Sequence, residues 1–310
     1  MKRCIRPDRP CAHLALWLLL WLAAPAWAAA PVSGTLGATG SDTMASLVLR
    51  WGEALTARHP GINVQFQAGG SSIAPSALVA GTTRLAPMSR PMSPEEREQF
   101  QRRYGYAPVE LRVARDALVV VVHRHNPLKA LTLSTLDAIF STTRACGAPA
   151  PVSRWEELLP TGDWPYGRIA LHGRNLASGT HDLFRQRALC GGHFRDDISE
   201  YPGSAAVVAA VGESPRAMGY TGYHHLTPMV QPLGLIDAAG ETIMPTPETI
   251  QNGEYPLSRY LYLYVNVAPG EALPPAERAF IELIMSEQGQ RIVRAAGFVP
   301  LPADELEPLS

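Results

Sequence analysis

Residues 173–184 read GRNLASGTHDLF and connect an apolar, strand-like run at residues 168–171 to an amphipathic helix. Leu183, Phe184 and Leu189 recur at helical spacing after the turn. The sequence therefore predicts a strand, a turn of small residues and a helix in direct succession, with the turn residues at the helix N-terminus.

The turn in this unit has the composition of an anion-binding site. Ser178, Gly179 and Thr180 stand at the predicted helix N-terminus, where backbone N–H groups lack intrahelical partners and the helix dipole favours negative charge. Arg174 lies four residues before Ser178, and its planar guanidinium can donate two hydrogen bonds to one oxyanion. An ordinary Ser/Thr helix cap is the alternative interpretation of such a motif in isolation.

Two further turns of the same kind precede predicted helices. Residues 40–44 (GSDTM) follow a short predicted strand and lead into a helix whose apolar residues run from Leu47 to Leu55. Residues 69–72 (GGSS) follow the alternating strand 62–67 and also precede a helix. Three such units predict a ligand site at the carboxyl ends of the strands of an α/β fold.

Other segments complete the α/β pattern. Residues 116–122 (DALVVVV) form the most continuous apolar run after the N-terminal region, which predicts a strand buried on both faces. Further strands are expected at residues 109–113, 218–220 and 260–265, and helices at residues 133–140, 152–159, 204–211, 275–285 and 286–293.

The N-terminus has the pattern of a secretory signal peptide, expected to span residues 1–30. A basic segment at residues 1–6 precedes the apolar run 14–22, and alanines at small-x-small spacing predict cleavage near Ala28 or Ala30. The apolar run is short for a membrane span. We therefore expect the mature protein to be periplasmic or secreted.

Composition narrows the classes of partner. The 310-residue chain has a net charge of −1, and loss of residues 1–30 brings it to about −4, which argues against nucleic acid. The length that remains suits two lobes better than one core.

Cys146 and Cys190 are the cysteines left, and one disulfide is their simplest fate in an oxidising compartment, ahead of a redox pair or a metal site. No metal or cofactor is expected.

Taken together, these segments resemble the periplasmic phosphate-binding proteins of ABC transporters, from Gly40 to about Pro302. The resemblance rests on GSDTM at 40–44, GGSS at 69–72, APMSRPMS at 86–93, FS at 140–141, GRNLASGT at 173–180, PGS at 202–204 and GY at 219–220. It implies an α/β, two-lobed periplasmic-binding-protein fold (type II) with a two-strand hinge. It also implies a monomer that is not an enzyme, captures phosphate between its lobes and delivers it to a membrane permease.

The resemblance further implies a division of the chain and a ligand set. The first lobe would hold residues 31–118 and 230–310 and the second residues 119–229, with crossings near Leu118 and Val230. The candidate ligand residues are Ser41, Asp42, Thr43, Met44, Ser71, Ser72, Ser89 and Arg90 from the first lobe and Arg174, Ser178, Gly179 and Thr180 from the second.

Three positions depart from the family pattern. The turn at Ser71 is poorer in glycine, Arg84 replaces an acidic residue, and Ser89 stands where some members have a carboxylate that accepts the proton of hydrogen phosphate. Because donors alone would hold sulfate as readily as phosphate, selectivity needs an acceptor. Asp42 is our candidate for it, and the alternative is that Asp42 is a solvated charge at its own helix N-terminus.

Two other functions stay open from sequence alone. An enzyme acting on phosphate esters or acyl groups has little support, because the chain lacks the Gly-x-Ser-x-Gly, His-Glu-x-x-His and P-loop motifs. His172, His181, His224 and His225 lie near motif segments but lack partners at ligand spacing. A secreted oxyanion-binding scaffold or sensor would use the same fold and site.

Overall fold

The computed structural model describes residues 32–159, 164 and 167–306. The predicted signal peptide and its cleavage site lie outside the described residues. Within the described part, no helix has both the length and the apolar content needed to span a bilayer.

The described residues form an α/β fold whose elements follow the predicted order. The strands are β1 (Ser33–Thr39), β2 (Gly61–Gln67), β3 (Leu85–Met88), β4 (Val109–His123), β5 (Ala130–Thr132), β6 (Ala170–Arg174), β7 (Ser199–Tyr201), β8 (Ala217–Gly222), β9 (Val230–Pro232), β10 (Gly234–Ile236), β11 (Thr242–Ile243) and β12 (Ser258–Val265). The α-helices are α1 (Ala45–Arg58), α2 (Ala74–Ala80), α3 (Pro94–Tyr104), α4 (Leu133–Phe140), α5 (Gly179–Ala188), α6 (Ser204–Glu213), α7 (Pro247–Gln251), α8 (Pro275–Met285) and α9 (Glu287–Ala295).

Two of the predicted segments have a different structure. The strands expected at 109–113 and 116–122 are one continuous strand, β4. The helix expected at 152–159 is only the 3-10 turn Trp155–Glu157. The apolar spacing there reflects the burial of the Trp155 side chain, while the Trp155 backbone N–H donates to the Gly167 carbonyl at 3.0 Å instead of within a helix.

A mixed sheet runs through the molecule. Its described strands follow the order β2-β1-β3-β12-β4-β8-β6-β7, and β9 also pairs with β4. β1 is parallel to β2 and β3, and β6 is parallel to β7 and β8. Between these parallel groups, β12 and β4 are antiparallel neighbours. The turns that follow β1 and β2 therefore lie at one edge of the sheet, as the turns that follow β6 and β7 do in the other group.

Two main hydrophobic cores divide the molecule into two lobes. The core of the first lobe packs α1, α8 and α9 against β1 and β12, and a smaller cluster around Phe100 uses β3 and β12. The core of the second lobe packs α4, α5 and α6 against β8 and the apolar half of β4. The predicted two-lobed α/β fold is confirmed.

The chain passes between the lobes at two adjacent points. On β4, Ala114 packs in the core of the first lobe and Ala117 in that of the second. The return passes from Leu257, in the second core, to β12, whose Ser258 is the register partner of Ala117. The two connections therefore run side by side, as a two-strand hinge requires.

The return to the first lobe comes later than the sequence analysis predicts. It was expected near Val230, but Leu235, Ile250 and Leu257 all pack in the second core. Strand pairing explains the difference, because β9 joins β4 in the second lobe and β10 joins β5. The boundary therefore moves from Val230 to about Ser258.

The predicted disulfide is confirmed. Cys146 and Cys190 are bonded, with a Cα–Cα distance of 5.4 Å across a sequence separation of 44. The bond ties the loop after α4 to the C-terminal end of α5, the helix whose N-terminus carries the SGT motif.

Candidate anion-binding site

Short polar turns connect strands to helices in both lobes. Residues 40–44 lie between β1 and α1, and residues 69–72 lie between β2 and α2. In the second lobe, Ser178 is the N-cap of α5, and its hydroxyl accepts the Thr180 N–H at 3.2 Å. All three turns therefore have the strand–turn–helix setting that the sequence predicts.

Hydroxyl groups from the two lobes meet at these turns. Thr43 Oγ1 of the first lobe lies 3.1 Å from Thr180 Oγ1 of the second. Ser71 Oγ lies 3.1 Å from Ser89 Oγ. Gly179 packs against both serines, since a Cβ there would lie 2.5 Å from Ser71 Oγ and 2.7 Å from Ser89 Oγ. These five residues are buried and form what we call the hydroxyl cluster.

The backbones of the two lobes touch beside the hydroxyl cluster. Gly70 has a φ of +106°, and a Cβ there would lie only 2.2 Å from the Ala177 carbonyl oxygen. The Ser72 N–H donates to the same carbonyl at 3.3 Å, and the Ser72 hydroxyl donates to the Leu176 carbonyl at 3.5 Å. Ser72 thus bonds to the backbone of the other lobe, while Ser71 supplies the buried hydroxyl.

Arg174 lies at the end of β6 and is almost fully buried, at 1% exposure. Its Nε donates to the Tyr201 carbonyl at 3.3 Å, its Nη1 to Ser204 Oγ at 2.8 Å and its Nη2 to the Pro202 carbonyl at 2.7 Å. Nη2 also donates to the Asp42 carboxylate. These contacts hold the guanidinium in one orientation, so the plane of its N–H donors is fixed where the lobes meet.

Asp42 is not a solvated charge acting only on its own helix. Its carboxylate pairs with Arg174 of the other lobe, and 18% of its side chain is exposed. It adjoins Thr43, whose hydroxyl is part of the hydroxyl cluster. A partly buried carboxylate and a buried guanidinium thus stand together where the lobes meet.

Three other predicted site residues, Ser41, Met44 and Arg90, make no contact with the hydroxyls of the cluster among their hydrogen bonds. The Met44 N–H donates to the Ser41 carbonyl at 3.2 Å, and Ser41 Oγ is buried without a hydrogen-bond partner among the described residues. Arg90 binds Glu96 of its own lobe through two hydrogen bonds of 2.7 and 2.8 Å. Its Nε also forms an ion pair with Asp182 of the second lobe at 3.0 Å, without hydrogen-bond alignment. Arg90 therefore links the lobes beside the hydroxyl cluster.

A buried ion pair on the hinge strands was missed by the sequence analysis. Arg259 of β12 is the register partner of Asp116 of β4, and its Nε and Nη2 donate to Asp116 Oδ2 at 3.1 and 2.6 Å. Burial by itself would raise the pKa of Asp116, but the positive charge of Arg259 and the contact with His224 hold that pKa well below its usual range. Arg259 Nη1 also reaches Thr180 Oγ1 at 3.1 Å.

Sequence signals for two missed residues can be identified in retrospect. Arg259 shares the buried face of β12 with Leu261 and Leu263, and a charged residue in that pattern indicates an internal partner. Ser204 is the last residue of the PGS turn and the first residue of α6. It repeats the strand–turn–helix setting that singled out the other three turns.

The site is chemically a set of hydrogen-bond donors suited to an oxyanion. Hydroxyls, a guanidinium and the N-terminus of α5 all stabilise negative charge. The nearby histidines pack instead: burial lowers the pKa of His181, which lies against Phe194, and of His172, which contacts the Tyr201 hydroxyl at 3.2 Å. In the described part of the chain, no group of three or more His, Cys, Asp or Glu side chains is arranged to hold a metal ion.

Comparison with known proteins agrees with this two-lobed binding architecture. A family model described as a PBP superfamily domain matches residues 25–288. The phosphate-binding protein PstS of Pseudomonas aeruginosa is 45% identical over 280 residues, covering 90% of this chain and 87% of that protein. Protein SphX of Synechococcus elongatus is 28% identical and covers 86% of this chain and 77% of its own. The chain therefore belongs to the PBP superfamily and, within it, to the family of the phosphate-binding protein PstS.

Solved structures support the fold. A protein from Clostridium perfringens crystallised with bound phosphate superimposes with a TM-score of 0.72 at 23% identity, covering 87% of this chain and 100% of its own. An ABC-type phosphate transport receptor from Vibrio cholerae gives a TM-score of 0.67 at 20% identity, covering 86% and 100%. At these identities the similarity shows the fold alone.

Proposed function

We propose that this chain captures inorganic phosphate between its two lobes and delivers it to the permease of an ABC transporter. The observation that carries the proposal is the hydroxyl cluster between the lobes, together with the buried, pre-oriented Arg174. Such an array can replace the hydration shell of an oxyanion with fixed donors. The name of the 45% identical relative, a phosphate-binding protein, favours phosphate as the anion.

We divide the ligand set proposed from sequence into two groups, according to the contacts that its residues make. Thr43, Ser71, Ser89, Gly179 and Thr180 are the residues we expect to contact the anion, with Arg174 beside them and Ser178 shaping the α5 N-terminus. Asp42 would accept the proton of hydrogen phosphate. Ser41, Met44, Ser72 and Arg90 would act mainly through the shape, charge and closure of the site. Because the family consists of binding proteins, the chain is a ligand carrier and not an enzyme.

Capture would work by closure of the lobes about β4 and β12. An anion that contacts both lobes at once favours the closed form over the open form by its differential affinity. The ion pairs of Arg174 with Asp42 and of Arg90 with Asp182 both cross between the lobes and would add to this preference. We expect the protein to act as a monomer in the periplasm after signal-peptide cleavage near Ala28 or Ala30.

Calorimetric titration of the mature, phosphate-stripped protein tests capture. We expect one phosphate to bind per chain and sulfate to bind much more weakly. Arg174→Ala should weaken phosphate binding by roughly 30-fold or more, because truncating one partner of a buried charge pair costs about 2–5 kcal/mol. Arg168→Ala is the matched control, since that arginine precedes β6 and its side chain is 65% exposed.

The outcomes separate capture from delivery. If a folded wild-type protein binds neither anion, or if Arg174→Ala binds phosphate as the wild type does, the site is misplaced. Delivery is tested by phosphate uptake in the source cells after deletion of the gene and complementation with the wild type or with Arg174→Ala. Normal uptake in the deletion strain under phosphate limitation would favour a sensor or scaffold over transport.

A further inference from the structure

We propose that Arg259 is a positioning residue of the anion site, which orients the Thr180 hydroxyl as a donor towards the anion and joins the hinge to both lobes. The inference rests on the function proposed above and adds a residue outside the candidate ligand set. The observations behind it are the contacts of the Arg259 guanidinium, which lies where β4 and β12 connect the two lobes.

Arg259 is anchored at the hinge. It is 4% exposed and its partner Asp116 is fully buried. The two residues face each other directly in the register of β12 and β4, next to the paired crossing points Ala117 and Ser258. Two hydrogen bonds to one carboxylate oxygen fix the guanidinium plane. Arg259 is therefore anchored at the hinge by Asp116, independently of its contacts with either lobe.

The remaining nitrogen of Arg259 reaches both lobes. Nη1 donates to the Ser89 carbonyl at 3.2 Å and to Thr180 Oγ1 at 3.1 Å. Ser89 follows β3 in the first lobe, and Thr180 lies in the first turn of α5 in the second. Nη1 can make both bonds only when the turn after β3 and the first turn of α5 lie close together. Arg259 therefore bonds to both lobes only when the lobes are closed.

The bond from Arg259 uses one acceptor position of the Thr180 hydroxyl and leaves its proton free. A guanidinium can only donate, so Thr180 Oγ1 accepts and its own single proton is left for another acceptor. Thr43 Oγ1 lies 3.1 Å away, where either hydroxyl can donate to the other, and an anion oxygen would take the Thr180 proton. Ser71 Oγ likewise accepts the Ser89 N–H at 3.0 Å, which leaves its own proton for another acceptor. Pre-oriented donors need no rearrangement when the anion enters.

Because Asp116 pairs with Arg259, the arginine would act mainly by orienting the Thr180 hydroxyl and not through its positive charge. The ionised carboxylate neutralises the guanidinium, so the pair adds little net charge next to the anion. Loss of Arg259 should therefore weaken phosphate and sulfate by similar factors. Loss of the Asp42 acceptor should instead change the ratio between the two anions.

The experiment compares two replacements of the arginine. Arg259→Lys keeps a positive charge beside Asp116 but has no fork to bond both lobes. The paired variant Asp116→Asn/Arg259→Met leaves no uncompensated buried charge, so it keeps the test valid if the lysine variant fails to fold. Each should weaken phosphate binding by about tenfold to hundredfold, the range for hydrogen bonds to charged groups. Arg112→Met replaces an exposed arginine on β4, the strand that carries Asp116, and this control should bind as the wild type does.

A double-mutant cycle separates positioning from general stability. In a Thr180→Val background there is no hydroxyl to orient, so the Arg259 replacement should add at most about a twofold further loss. Thermal unfolding without phosphate verifies that each variant is folded. Wild-type affinity in the Arg259 variants, or an undiminished loss in the Thr180→Val background, would overturn the inference while leaving phosphate capture intact. Failure of the wild type to bind phosphate would refute the proposed function and this inference with it.

Discussion

Gly179→Ala should weaken phosphate binding without destabilising the ligand-free protein. Gly179 is the first residue of α5, and it packs against Ser71 and Ser89 of the other lobe. An added Cβ would lie 2.5 Å from Ser71 Oγ, 2.7 Å from Ser71 Cβ and 2.7 Å from Ser89 Oγ. The Ser71 side chain cannot turn away freely, because its Oγ accepts the Ser89 N–H.

The size of the effect follows from these distances. Non-bonded atoms pack about 3.5 Å apart, so the turns that meet here would have to separate by about 1 Å. Overpacking of this kind costs roughly 1–3 kcal/mol. If that cost falls on the closed form, the Kd for phosphate should rise by roughly 5- to 150-fold.

The ligand-free, open form of the Gly179→Ala variant should be at least as stable as that of the wild type. The backbone of Gly179 is not in the left-handed region, so alanine introduces no strain there. Alanine also restricts the unfolded chain, which stabilises a compatible site by about 0.4–1 kcal/mol. The midpoint of thermal unfolding without phosphate should therefore stay the same or rise.

Calorimetry with phosphate and thermal unfolding without it measure the two effects separately. Gly37→Ala is the matched control, because it makes the same change in β1 and a Cβ there meets no atom within 4 Å. If Gly179→Ala binds phosphate within twofold of the wild type, the lobes do not close through this contact and the reasoning fails. A large loss of stability in the ligand-free variant would refute it as well.

Three further predictions concern selectivity, stability and pH. Asp42→Asn should narrow the preference for phosphate over sulfate in competition titrations, and an unchanged ratio would exclude Asp42 as the acceptor. Replacing Cys146 and Cys190 by serine should lower the free energy of unfolding by about 4 kcal/mol, the chain-entropy value for this 44-residue separation, and an unchanged midpoint in urea would contradict it. Burial lowers the pKa of His225 to about 3, so the unfolded chain binds a proton that the native protein does not, and stability should fall as the pH drops from about 6.5 towards 3. His225→Asn should flatten this dependence in urea unfolding at several pH values, and an equally steep decline in the variant would refute the assignment.

The amino-acid order by itself determined the local units of this protein. Small polar residues between a strand-like run and a helical run mark a helix N-terminus wherever they occur, because capping and the helix dipole act within a single turn. The sequence therefore predicted the helix N-terminus that carries Ser178, Gly179 and Thr180. The Cys146–Cys190 bond also followed from the sequence, because only two cysteines remain after the predicted signal peptide.

The tertiary structure decided which of these local units act together. Pairing between β12 and β4 brings Arg259 opposite Asp116, although 143 positions separate them, and places its third nitrogen against Thr180. Local periodicity carries no information on such a contact, since it depends on strand register and on the crossing point between the lobes. The same limit explains the late return at Ser258, because strand pairing across the sheet, and not the apolar pattern, holds the preceding segment in the second lobe.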